Sequence, residues 1–110
     1  MKVYSSIVKM KKYKGDPRFY KIIDCLKDIH SRKSDGYAPN QDPLANLKEC
    51  ERMGIPAYKG VLMRMLDKVS RLIELSKGKP DLVQESFQDS LRDLAIYSIL
   101  CEILYEEKNH

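Results

Sequence analysis

The sequence predicts an all-α fold: three long helices and one short helix in an antiparallel bundle, with a basic N-terminal arm. Three observations predict it. Apolar residues recur at three- and four-residue spacing over three separate stretches, the signature of amphipathic helices. The pairs Asp16-Pro17 and Asp42-Pro43 place an N-capping side chain beside a proline suited to the first helical turn. Gly54 and Gly78 fall where a periodic stretch stops, as C-terminal glycines do.

Taken in order, residues 1–15 form a basic arm or short strand, with Val3, Ile7 and Val8 as its apolar positions and Gly15 as its break. Phe19, Ile22, Ile23, Leu26 and Ile29 then predict a helix over 17–31. Residues 32–42 lose the period and contain Gly36, Pro39 and Asn40, so they read as a loop. A short helix of about ten residues is expected after Pro43, ending at Gly54. Pro56 favours a restart. From Ala57 to Ser76, Val61, Leu62, Met65, Leu66, Val69, Leu72 and Ile73 make a broad apolar face. The last helix is expected to begin at Asp81 or a neighbour and to run to about Glu107.

A chain of 110 residues fits one domain, here residues 16–110. With 43% hydrophobic and 33% charged residues, it has enough apolar material to fold. The run Leu94–Leu104 is about half a membrane span and contains Glu102, so no membrane partner is expected. The first fifteen residues lack an apolar run, so no signal peptide is expected. Five lysines precede the first acid, Asp16. Since the whole chain is at +4, residues 16–110 are at −1. The basic character belongs to the arm. No basic recognition helix is visible, and nucleic acid is not an expected partner. Cys25, Cys50 and Cys101 are far apart and form no zinc-type spacing, which suggests free thiols in a reducing, cytoplasmic setting.

Three groups of residues could carry chemistry. Glu85, Asp89 and Asp93 are spaced i, i+4, i+8, which on one helix forms a single stripe. Asp93 adjoins the apolar run and needs a partner there. That partner is either a cation of the preceding helix or a divalent metal held by the three carboxylates. Arg64, Asp67, Lys68 and Arg71 form the second group, and Lys68 with Arg71 could grip a phosphate or simply face solvent. The third group is a polar loop with Lys33, Asp35, Tyr37 and, later, Asn46, suited to holding a base or sugar.

Two strings in these helices, Arg64-Met-Leu-Asp67-Lys68-Val-Ser-Arg71-Leu72 and Glu85-Ser-Phe-Gln-Asp89-Ser-Leu-Arg-Asp93-Leu-Ala-Ile-Tyr97, resemble the phage and bacterial nucleotide modification associated domain. That family's pattern is roughly RxxDKxxRL followed by ESxxDTLxDLAxYA. Lys33, Asp35, Tyr37 and Asn46 resemble its upstream loop. The likeness covers about residues 20–105. The family is similar in turn to the MazG-like all-α nucleoside triphosphate pyrophosphatases, which bind magnesium through EExxE and a later ExxD. The resemblance implies a MazG-like bundle in a homo-oligomer. It implies that Asp93 matches the last acid of ExxD, with Asp89 or Glu85 assisting. Where EExxE would fall, this chain has Arg64, Asp67, Lys68 and Arg71.

Two functional readings follow. In the first, a divergent nucleotide pyrophosphohydrolase holds Mg²⁺ on Glu85, Asp89 and Asp93, uses these as catalytic groups, and binds a (deoxy)nucleotide through Lys33, Asp35, Tyr37, Asn46, Arg64, Lys68, Arg71 and Tyr97. In the second, the same pocket holds a nucleotide or modified nucleotide without cutting it, as a phage sequestering module would. A helical interaction protein without a small ligand is the third possibility. Both nucleotide readings require the acids of the last helix and the cations of its predecessor to meet in an accessible cleft.

Overall fold

A computed structural model describes residues 13–36, 41–80 and 85–109. Among these residues there are four α-helices, one 3-10 segment and no strand. Helix α1 spans Pro17–Lys33. Asp16 caps it by accepting from the Arg18 backbone N–H at 2.9 Å, with Pro17 in the first turn. It runs two residues past the expected end. His30, Arg32 and Lys33 place positive charge on the open carbonyls of the last turn, where the helix dipole favours cations.

The short element is not one continuous α-helix. Helix α2 spans Ala45–Lys48 and tightens into a 3-10 segment over Glu49–Met53. Asp42 supports the entry by accepting from the Leu44 N–H at 2.9 Å. Gly54 ends the segment at φ 80°, a left-handed conformation that glycine adopts without a side-chain clash. The tighter coil brings Cys50 hard against the next helix. A Cβ built on Gly60 would lie 2.6 Å from Cys50 Sγ, so glycine is what lets the two backbones approach.

Helix α3 spans Ala57–Ser76, as the apolar period predicts. Helix α4 spans Phe87–Lys108 and starts later than expected. A capping box fixes the start. Ser86 Oγ accepts from the Asp89 N–H at 3.0 Å, and the Asp89 carboxylate accepts from the Ser86 N–H at 3.3 Å. Residues 81–84, where the expected start lay, are outside the described residues.

Helix α4 is the centre of the fold. One side packs Ile96 and Leu100 on Leu26 of α1. Another packs Leu104 on Ala57 and Val61 of α3, and Tyr105 meets Tyr58 edge-on at 5.2 Å. Leu44, Leu47 and Tyr97 touch both clusters, so α2 wedges the two halves of the core together. The α3–α4 interface is extensive and that of α1 on α4 is narrow. The outer side of α3 leaves Leu62, Leu66, Val69 and Ile73 exposed at 4-3-4 spacing.

No described helix is long and apolar enough to cross a membrane.

Candidate functional site

Arg64, Lys68 and Arg71 lie on one side of α3 at i, i+4, i+7. Lys68 faces both acids of the following segment. Its Nζ donates to Glu85 Oε1 and Oε2, each at 3.0 Å, and pairs with Asp93 Oδ2 at 2.8 Å. Arg71 Nε stands 3.3 Å from Glu85 Oε2, and its Nη2 donates to the Glu85 carbonyl at 2.5 Å. Ser90, fully buried, donates to Glu85 Oε2 at 2.5 Å. From α1, Lys33 Nζ donates to Asp93 Oδ1 at 3.2 Å.

The cluster is neither sealed nor fully wet. The side chains of Lys68, Arg71 and Asp93 are about one-fifth exposed and that of Glu85 about one-quarter, whereas Lys33 is 65% exposed. Burial pulls the Lys68 ammonium down, but its bonds to Asp93 and Glu85 outweigh this and hold it above the usual lysine value. The Ser90 hydroxyl, aided by Lys68, holds Glu85 below the usual carboxylate value despite burial. Burial raises Asp93, and Lys68 with Lys33 overcome that to leave it lowered.

Beside this cluster a cleft of about 220 Å³ opens between α1, α2 and α4, with α3 contributing Arg64. Asn46, Tyr97, Lys33, Arg64 and Asp93 line it, all five expected from the sequence. Leu44, Leu47, Ile96 and Leu100 form its apolar wall, and His30 and Ser34 complete the rim. Among the described residues Arg64 is exposed and pairs with no carboxylate. Asp93 links cleft and cluster, since it lines the first and bonds Lys68 in the second.

Other expected residues fall elsewhere. Glu85 precedes the cap of α4, so the three acids do not share one helical stripe. Asp89 is spent on the capping box, and its side chain is 56% exposed beside Arg92. Asp35 is exposed in the turn after α1 and does not line the cleft. Tyr37 lies outside the described residues. His30, Ser34 and Ser90 were missed. His30 and Ser34 share a face with Lys33 at helical spacing, a signal that was readable. Ser90 carried no signal beyond its place between Asp89 and Asp93.

The donor set around Asp93, among the described residues, does not suit Mg²⁺. Among the described residues no three His, Cys, Asp or Glu side chains gather to hold a metal ion. The two carboxylates that do face one another, Glu85 and Asp93, share the ammonium of Lys68, which already fills the cationic position between them. No family model, curated protein or solved structure matches this chain.

Proposed function

We propose that the chain binds a nucleotide, plain or modified, in the cleft bounded by Lys33, Asn46, Arg64, Asp93 and Tyr97, and does not hydrolyse it through a bound metal. The observation that carries this reading is the pairing of two environments in one cavity. Arg64 and Lys33 offer charge-assisted donors to a phosphate, while Tyr97 and the apolar wall offer a surface for a base. The likeness of the α3 and α4 motifs to nucleotide modification associated domains supports the choice of nucleotide. Metal-dependent pyrophosphohydrolysis is the weaker alternative, because a cation entering between Glu85 and Asp93 would have to expel Lys68.

Calorimetry in EDTA with a panel of nucleotides tests the reading. Binding is expected, and removal of both cations, Lys33→Ala with Arg64→Ala, is expected to abolish it. Release of phosphate or pyrophosphate from any nucleotide with Mg²⁺ or Mn²⁺ would restore the enzymatic reading. Failure of every nucleotide to bind would remove both.

We further propose an antiparallel MazG-like bundle that self-associates in the cytoplasm. Supporting the direction, Tyr58 near the start of α3 meets Tyr105 near the end of α4, while Lys68 meets Asp93. Supporting self-association, Leu62, Leu66, Val69 and Ile73 have the 4-3-4 spacing of a coiled-coil seam and are between 39% and 65% exposed. A second copy of α3 presents the same uncharged seam. Leu66→Glu is expected to yield monomers by light scattering; an unchanged mass would refute this interface. The three cysteines are unbridged, in keeping with a reducing compartment.

A further inference from the structure

The cleft also bears on how many phosphates its ligand carries. Building on the nucleotide reading above, we infer that the ligand is a nucleoside monophosphate, taken up without a divalent cation.

Charge is the first argument. Lys33 and Arg64 line the cleft together with Asp93, and Lys68 answers the Asp93 charge, so the described lining presents two positive charges to a ligand. A phosphomonoester carries about −1.5 to −2 at neutral pH, which this pair matches. A triphosphate brings more negative charge than the pair can answer. It is ordinarily matched by Mg²⁺, and among the described residues the carboxylates that face one another here are bridged by Lys68.

The cations also differ in readiness. Lys68 and Arg71 are held in the half-buried cluster, where they keep Glu85 and Asp93 ionised. Arg64 and Lys33 are the accessible pair. Arg64 has no carboxylate partner among the described residues, and Lys33 has a single contact with Asp93 at 3.2 Å on a mostly exposed side chain. A phosphate can therefore take Arg64 outright and draw Lys33 from Asp93, which keeps Lys68 as its counter-ion. Both cations line the same cleft, so a single phosphate group can meet the two of them.

The lining of the cleft is the second argument. Its wall of leucine, isoleucine and Tyr97 favours a nucleoside over a bare sugar phosphate.

Calorimetry on the full chain would use ribo- and deoxynucleoside 5′-monophosphates, the matching triphosphates and inorganic phosphate, each with EDTA and with Mg²⁺. At least one monophosphate is expected to bind at least about tenfold tighter than its triphosphate, with no gain from Mg²⁺. Arg64→Ala should weaken it by about tenfold or more, the loss of one charge-assisted bond, with helicity by circular dichroism unchanged. Tighter or Mg²⁺-dependent binding of a triphosphate would overturn the monophosphate inference and leave the nucleotide reading standing. An Arg64→Ala variant that binds like the parent would overturn the placement. If no nucleotide binds, the underlying reading fails and this inference with it.

Discussion

Replacing Lys68 by methionine removes one ammonium and leaves Glu85 and Asp93 facing each other, with about the same side-chain volume in place. Breaking a fully buried pair by removing one partner costs about 3–5 kcal/mol. Two features here reduce that figure. The cluster is about one-fifth exposed, and Arg71 and Lys33 still hold one carboxylate each. Hydrogen bonds to charged groups contribute about 1.5–3 kcal/mol, and Lys68 bonds both acids. We therefore expect a loss of about 2–3 kcal/mol in urea unfolding followed by far-UV circular dichroism at neutral pH. The double variant Lys68→Met with Glu85→Gln should recover part of it, because one of the stranded charges is gone. Arg64→Ala, on the same side of the same helix but exposed, should change stability by less than about 0.5 kcal/mol. If Lys68→Met costs no more than Arg64→Ala, the cluster does not hold α3 to α4, and the picture of Lys68 as a fixed internal counter-ion fails.

The pH dependence has a definite sign. Glu85 and Asp93 sit below their ordinary values of 4.5 and 3.8, so their stabilisation is present above those values and is lost as pH falls through the lower folded ones. Lys68 sits above 10.5, so its share is present below that value and is lost as pH rises through the folded one. Unfolding midpoints should be level from about pH 5 to pH 9 with respect to these groups, and Asp93→Asn should flatten the acid limb; an unaltered limb would count against the cluster. At the Gly60–Cys50 contact, Gly60→Ala should cost about 1–2 kcal/mol even though alanine favours helix. Cys50→Ala should relieve that cost, and a thermal-melt double-mutant cycle with no coupling would show that the sulfur simply moves aside.

The helical content was legible because local rules and tertiary packing agree over most of the chain. The Asp16-Pro17 cap and the apolar period through α1 and α3 agree with the helices found there. The reading of α4's first turn failed for a physical reason. Glu85, Asp89 and Asp93 have helical spacing, but Ser86 with Asp89 three residues on is also a capping box, and the cap removes Glu85 from the helix. The switch to 3-10 geometry at Glu49 has no local signature; Cys50 packing on Gly60 accompanies it. At the candidate site, the meeting of Lys68 with the acids was readable as one of two stated alternatives, ion pair or metal. Spacing alone could not choose between them, because either partner satisfies a half-buried carboxylate.

The narrowness of the α1–α4 contact has a dynamic consequence. Leu26 is the one buried residue that α1 contributes, and Lys33 is tied to Asp93 at the far end of the helix. Amide hydrogens of α1 should thus exchange with solvent through local opening at lower free energy than those of α3 and α4. A ligand bridging Lys33 to Arg64 would fasten the loose helix to the rigid pair, so occupancy of the cleft should be readable as slowed exchange along α1.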